Sequence, residues 1–413
     1  MRSIRELLLL RDQSIRRLIF GIALFITVAA SNPAMSLETE SYDEGPYPVG
    51  TSNMRVNDDF SNFSDEEIHS YLSGHINENG ENIFLTDQLK HPQDTLVIDV
   101  DIPDDKESYG TIAGTSLPVV VYVNYPTSGD NNREHYDFPF REAEDTELRH
   151  MQGPGEKPVF AHDNARYPLV LISHGWNVHG IWETSHARRL ASHGYIVVTV
   201  NYGDLRIQDP ERWNRAVVFR PLAAKAVLNH VLSSDDFGSH IDHTRIATSG
   251  HSLGGFTSLA LAGGRYLPDP KSVYDKRVSA VVAAAPWVGG VKDGQRYSLF
   301  GDQYSGLSEI DIPVLGVFGS KDESTTSTTI LAGMEQLSGP RYVVELVDQP
   351  HIFEPGSWQD LGNWELLFLS AYLKQDEESL KQLQSTTSMK GGNRDTQHFM
   401  YQQTPASTEL NTH

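Results

Sequence analysis

Arg245-Ile246-Ala247-Thr248-Ser249-Gly250-His251-Ser252-Leu253-Gly254-Gly255-Phe256-Thr257-Ser258-Leu259-Ala260-Leu261-Ala262 is the stretch on which the fold turns. A strand-like run enters a G-x-S-x-G sequence, and a helix-like run leaves it. That order, strand, tight turn, helix, is the setting of a nucleophile elbow. The turn leaves no space for bulky neighbours, so Gly250 and Gly254 let the backbones approach. Ser252 is then forced onto the tip, and the helix behind it points amide N–H groups at any oxyanion formed there.

Working outward, short apolar runs alternate with helix-like segments. Upstream, Leu169-Val170-Leu171-Ile172-Ser173 reads as a strand buried on both faces. A helix from about Trp182 to His193 follows, closed by Gly194. Tyr195 to Val200 is the next strand. Residues 202–216 read as a polar loop, and Pro221 as the first turn of a helix carrying Ala224, Leu228, Val231 and Leu232 on one face. Downstream, Val278 to Ala285, Val314 to Gly319 and Tyr342 to Val347 supply strands. Thr326 to Gln336 and Trp358 to Lys374 supply helices. Two earlier strands, Thr95 to Val100 and Leu117 to Val123, suit an antiparallel start. The alternation specifies an α/β chain with a mainly parallel central sheet and helices on both faces.

A serine hydroxyl needs a base, and the base needs a carboxylate to fix its tautomer. In this topology they follow the serine in the order acid, then histidine. Val317-Phe318-Gly319-Ser320-Lys321-Asp322 runs off a strand into a turn and makes Asp322 the candidate acid, with Glu323 as its neighbouring competitor. His351, in Gln349-Pro350-His351-Ile352-Phe353, is the sole histidine between Asp322 and the polar tail and is the candidate base. Asp348 stands three residues before it, placed to cap the turn. For the oxyanion hole, one donor is the amide of Leu253. The second comes from Ser173-His174-Gly175-Trp176-Asn177, by the amide of Trp176 or of Gly175. His174 reads as a structural hydrogen-bonding residue under that loop. Gly175 and Trp287 are candidate substrate-cleft residues. Trp287, after Pro286 at a strand end, suits stacking on an acyl group and core packing equally.

Composition narrows the classes. The chain has 413 residues, no cysteine and a formal charge of −22. Disulfides, thiolate metal sites and a cysteine nucleophile are excluded. A surface this acidic disfavours nucleic acid and anionic membranes. The 17 histidines lack metal-motif spacing, so no metal site is expected. Residues 1–36 read as an export signal: Arg11, Arg16 and Arg17 precede the apolar run Leu18 to Ala30, and small residues surround Met35. That run falls short of the ~20 residues that span a bilayer. An uncleaved N-terminal anchor is the alternative. Five arginines against two acids give this segment +3, leaving about −25 for the remainder. Residues 37–93 form an acidic extension, 94–374 the catalytic domain, and 375–413 a tail expected to be disordered.

With these residues in view, the chain resembles a known group. Tyr167 to Gly175, Leu190-Ala191-Ser192-His193-Gly194-Tyr195, Arg220-Pro221, and Asp242 through Gly255 look like the serine α/β-hydrolases of the platelet-activating-factor acetylhydrolase and dienelactone-hydrolase-like group. The resemblance covers about residues 95–373. The chain also resembles bacterial cutinases and polyester hydrolases, through Gly175-Trp176, Pro286-Trp287, the turn at Asp322 and His351-Ile352-Phe353. Dienelactone hydrolases proper use a cysteine nucleophile, which this chain lacks. The resemblance implies an α/β-hydrolase fold, no metal and no organic cofactor.

The function expected is a secreted or periplasmic serine esterase, acting as a monomer through an acyl-enzyme on short-chain or phospholipid-derived esters. A cutinase-like polyester hydrolase, and an acyltransferase or amidase on the same triad, are alternatives. From another class stands a non-catalytic binding protein on a hydrolase scaffold. The partners expected are a small-molecule or polymeric ester, with no nucleic acid and no stable membrane span after signal cleavage.

Overall fold

The computed structural model describes residues 44–52, 88–90, 95–133, 136–137, 147–153, 155–176, 178, 180–266, 273–292, 295–386, 388–389 and 397–402. The export-signal reading of residues 1–36 lies outside the described residues.

In chain order the elements are β1 (Val49–Thr51), β2 (Leu96–Asp101), α1 (Lys106–Tyr109), β3 (Ser116–Pro126), β4 (Tyr136–Asp137), β5 (Glu147–Leu148), β6 (Tyr167–Ser173), α2 (Thr184–Ser192), β7 (Ile196–Asn201) and α3 (Arg212–Ser233). There follow β8 (Ile241–His251), α4 (Leu253–Leu261), β9 (Val278–Ala284), β10 (Gly289–Lys292), β11 (Gln295–Ser298), β12 (Val314–Gly319), α5 (Ser327–Met334), β13 (Arg341–Leu346), α6 (Pro355–Tyr372), α7 (Glu377–Ser385) and β14 (Gln397–Gln402). Ten strands form one sheet in the order β1-β3-β7-β6-β8-β9-β12-β13-β14, with β2 also on β3. The run from β7 to β13 is parallel; β1, β2, β3 and β14 join antiparallel. This is an α/β-hydrolase fold.

Strand periodicity explains how one sheet serves two cores. Successive side chains point to opposite faces. In β6, Leu169 and Leu171 enter the core under α3 and α4, while Val170 and Ile172 enter the core under α2 and α6. All seven residues of β6 are buried. On α4, Leu253, Phe256 and Leu259 are wholly buried. Each such side chain contributes about 1.5–3 kcal/mol.

Three sequence expectations are corrected. The helix holding Pro221 begins at Arg212, so Pro221 lies inside α3 rather than in its first turn. The polar run Arg212-Trp213-Asn214-Arg215 concealed the first turn, but Ala216, Val217 and Phe219 behind it are buried and carry the helix on. The sheet draws on a strand before residue 94, the expected start of the hydrolase-like unit, because β1 pairs with β3 through Val49↔Pro126 to Thr51↔Asn124. A three-residue strand has no periodicity to read. The tail after residue 375 is not uniformly disordered. Asp376 caps α7 by accepting from the Ser379 amide, and Leu383 and Met389 are buried against α6 and its surroundings. Few apolar residues suffice when they fall at helical spacing over an existing core. Beyond them β14 pairs antiparallel with β13.

Candidate active site

Parallel strands deliver their C-terminal ends to one edge of the sheet, where open α/β folds bind ligands. The loop after β6, the turn after β8, the turn after β12 and the loop after β13 all open there. These segments, with the one after β9 that holds Trp287, carry the candidate residues.

Ser252 occupies the junction of β8 and α4 with φ 56 and ψ −117, a conformation non-glycine residues rarely adopt. Such strain costs of order 1–3 kcal/mol and persists only where the surroundings enforce it. Here the Ser252 amide donates to the Ala284 carbonyl at 2.9 Å, and its carbonyl accepts from the amides of Phe256 at 3.1 Å and Trp287 at 3.0 Å. Glycine is required around it. A Cβ on Gly254 would lie 1.8 Å from the Ser173 carbonyl oxygen, and one on Gly250 would lie 2.5 Å from the Gly254 carbonyl carbon.

His351 Nε2 accepts from the Ser252 hydroxyl at 2.9 Å, and its Nδ1 donates to Asp322 Oδ2 at 2.7 Å. Asp322 is buried, and burial by itself would raise its pKa. Hydrogen bonds from His351 and from the Thr325 hydroxyl and amide outweigh that and hold it below the usual carboxylate range. The carboxylate is clamped on both oxygens: Oδ1 accepts from the amides of Ser324 at 2.8 Å and Thr325 at 2.7 Å, while Oδ2 accepts from the Thr325 hydroxyl at 2.6 Å. Of the competing acids, Glu323 is exposed. Asp348 pairs at the surface with Lys321 at 3.1 Å.

The loop after β6 reaches the same place. A Cβ on Gly175 would sit 3.7 Å from Ser252 Cβ. The Trp176 ring stands edge-on to Trp213 at 5.0 Å, and Trp213 edge-on to Trp287 at 5.4 Å. Leu253, wholly buried, opens α4 directly after Ser252. Trp287 is 6% exposed and belongs to the core under α3 and α4, so packing takes most of its surface.

Four residues beyond the sequence-derived set complete the surroundings. Thr325 follows Asp322 by three positions, the spacing of a carboxylate-capped turn. His251, inside the elbow itself, donates through Nε2 to the His351 carbonyl at 2.8 Å. It nests edge-on to Trp358 at 5.3 Å and to Phe353 at 6.0 Å. Burial, then the neighbouring His351, push its pKa down to about 4, so it is a neutral hydrogen-bond donor. Trp213, in the first turn of α3, bridges the other two tryptophans. Arg220, which the sequence offers as a helix start or, less favoured, a substrate-contacting residue, instead lies wholly buried within the same helix and reaches the loop after β6. No spacing rule links α3 to these loops.

Among the described residues no group of histidine and carboxylate side chains is arranged to hold a metal ion. No helix among them is long and apolar enough to cross a membrane. The arrangement supplies an alcohol, an imidazole and an anchored carboxylate in series. That series can move a proton from the alcohol and return it to a leaving group.

The chain is similar to known proteins over part of its length. The Chlorophyllase family model matches residues 145–323, a span that includes Ser252 and Asp322 and ends before His351. Cutinase 1 of Thermobifida cellulosilytica is 29% identical over 170 residues, 40% of this chain and 58% of that protein. A cutinase of Thermobifida fusca is 29% identical over 170 residues, 40% of this chain and 50% of that protein. The chain thus spans about half the length of the curated relatives it matches. Together the likenesses support a hydrolase of the α/β type with a cutinase-like relationship.

Proposed function

We propose that this chain is an exported serine carboxylester hydrolase. In this reading Ser252 attacks the ester carbonyl while His351 takes its proton and then donates it to the leaving alcohol. Asp322 holds the imidazole in the required tautomer, and the amides of Leu253 and Trp176 stabilise the oxyanion. Water, activated by His351, hydrolyses the acyl-enzyme. The observation that supports it is the unbroken hydrogen-bond chain from Ser252 through His351 to Asp322. Short-chain or phospholipid-derived acyl esters are the substrates proposed. The relatives' name favours a second reading, a cutinase-like hydrolase of polymeric esters.

The test is hydrolysis of a p-nitrophenyl ester series of increasing chain length, beside a solid polyester. Ser252→Ala is expected to lose several orders of magnitude in kcat while keeping its circular dichroism spectrum and melting midpoint. Equal rates for the wild type and this variant would reject the enzyme in favour of a non-catalytic binding protein on the same scaffold.

A further inference from the structure

Arg220 sits in α3 with none of its surface exposed. A guanidinium is tolerated in such a place only when its donors are matched. Nε donates to Asp204 Oδ1 at 2.9 Å and Nη2 to Asp204 Oδ2. The guanidinium carbon lies 4.8 Å over the Tyr202 ring. The other two bonds end on backbone: Nη1 donates to the His174 carbonyl at 2.5 Å, and Nη2 to the Gly175 carbonyl at 2.9 Å.

His174 works on the same carbonyl. Its Nε2 accepts from the Tyr202 amide at 3.3 Å, so the proton resides on Nδ1, which donates to the Gly175 carbonyl at 2.7 Å. The 3.3 Å approach of Arg220 Nη2 to His174 Nδ1 is then two donors converging on one oxygen.

The Gly175 carbonyl and the Trp176 amide are two ends of one peptide unit. That unit is planar and trans, so its C=O and N–H point in opposite directions. Gripping the carbonyl from the core turns the amide away from the core, next to Gly175, where an added Cβ would lie 3.7 Å from Ser252 Cβ. We infer that Arg220 is a positioning residue. By holding the carbonyls of His174 and Gly175, it aims the Trp176 amide at the oxyanion formed in the Ser252 reaction. The inference rests on the hydrolase reading above. Its physical content is preorganisation: a donor already in place need not be reoriented as charge develops. A cation on the carbonyl also polarises the shared peptide and strengthens its N–H as a donor. Lysine, with three donors on a point charge and no planar fork, cannot reproduce all four of these hydrogen bonds.

The test uses the full-length chain and p-nitrophenyl butyrate, with Ser252→Ala as the reference. Arg220→Ala is expected to lower kcat by about 100-fold, the effect of losing one oxyanion donor, with KM changed by no more than about threefold. Affinity for a phenylboronic acid, whose tetrahedral adduct places an oxygen in the same hole, falls in step with kcat/KM. The midpoint of the pH–rate profile stays in place. Millimolar guanidinium restores part of the rate to Arg220→Ala, and Arg220→Lys is intermediate. Because the single variant leaves Asp204 charged and buried, Asp204→Asn/Arg220→Met, which removes both charges, is measured alongside it and decides the matter if Arg220→Ala does not fold. A folded variant with kcat within threefold of wild type overturns the inference. So does a loss confined to KM, or a lost kcat with unchanged boronate affinity. Wild-type rates in Ser252→Ala would instead remove the hydrolase reading itself.

Discussion

Asp322→Asn probes the proposed triad through a feature of this acid turn. The two carboxylate oxygens have different partners. Oδ1 accepts from two backbone amides, Ser324 at 2.8 Å and Thr325 at 2.7 Å. Backbone amides can only donate, so the carboxamide oxygen of an asparagine must take that position. Its NH2 group then occupies the place of Oδ2, facing His351 Nδ1 at 2.7 Å. The Thr325 hydroxyl adapts by accepting from this NH2 and donating to the Ala285 carbonyl, 3.1 Å away. His351 has no such freedom. Nδ1 must accept, the ring proton moves to Nε2, and Nε2 is the atom that has to take the Ser252 proton.

The substitution therefore inverts the base while leaving packing intact. A base held in the wrong tautomer costs about 10,000-fold in kcat. That is about 5.5 kcal/mol of transition-state stabilisation at 1.36 kcal/mol per tenfold. The assay is steady-state hydrolysis of p-nitrophenyl butyrate from pH 6 to 10, with thermal denaturation in parallel. The variant's residual rate should climb with pH as hydroxide replaces the lost base. A folded Asp322→Asn variant within tenfold of wild type at neutral pH would refute the tautomer argument and, with it, the assignment of Asp322 as the acid.

Two further outcomes concern the scaffold around the nucleophile. Gly254→Ala places a methyl group 1.8 Å from the Ser173 carbonyl oxygen, a backbone atom that cannot rotate away. Urea denaturation should show a loss of about 3 kcal/mol or more, the upper end of overpacking penalties; a loss under about 1 kcal/mol would show that the elbow is looser than its contacts imply. His251 carries a folded pKa of about 4 against an ordinary value of 6.5, so the unfolded chain binds a proton there more readily than the folded one. Its contribution to stability is intact above pH 6.5 and is lost as pH falls toward 4. Denaturation at stepped pH should show a steeper decline across that window in wild type than in His251→Gln, and parallel curves would contradict the assignment.

The parts of the fold that could be read from sequence are those whose signal is local. β6, β7 and β12 are runs in which every residue is buried, and such runs announce a sheet covered on both faces. The elbow is legible because its glycines and serine are contiguous. Asp322 and His351 are legible because chain order and strand ends constrain them. What escaped depends on distance. β1 is three residues whose strand character comes wholly from β3. The first turn of α3 is masked by the polar residues Arg212, Asn214 and Arg215, each at least partly exposed. Arg220 and Asp204 stand 16 positions apart on a helix and a preceding turn, and a buried ion pair leaves no periodic trace. Thr325 carries a local signal, its place three residues after Asp322, the spacing of a carboxylate-capped turn.

Three of the residues that escaped, Arg220, His251 and Thr325, bring a side-chain donor to a backbone carbonyl of the site, whereas Trp213 packs between Trp176 and Trp287. Arg220 grips the His174 and Gly175 carbonyls, and His251 grips that of His351. The Thr325 hydroxyl lies within reach of both the Ala285 carbonyl and Asp322. A carbonyl is an effective handle because fixing it fixes the whole peptide plane, and with it the neighbouring amide and the direction in which the chain leaves. The strained φ of 56 at Ser252 fits this account. A single residue can be held in that region only if the segments facing it do not yield, and here three facing loops are tied down from behind by buried polar side chains. Reactivity at the tip of the elbow is thereby assigned to rigidity in layers a substrate does not reach, and loosening any one of those ties should reduce kcat before it reduces binding.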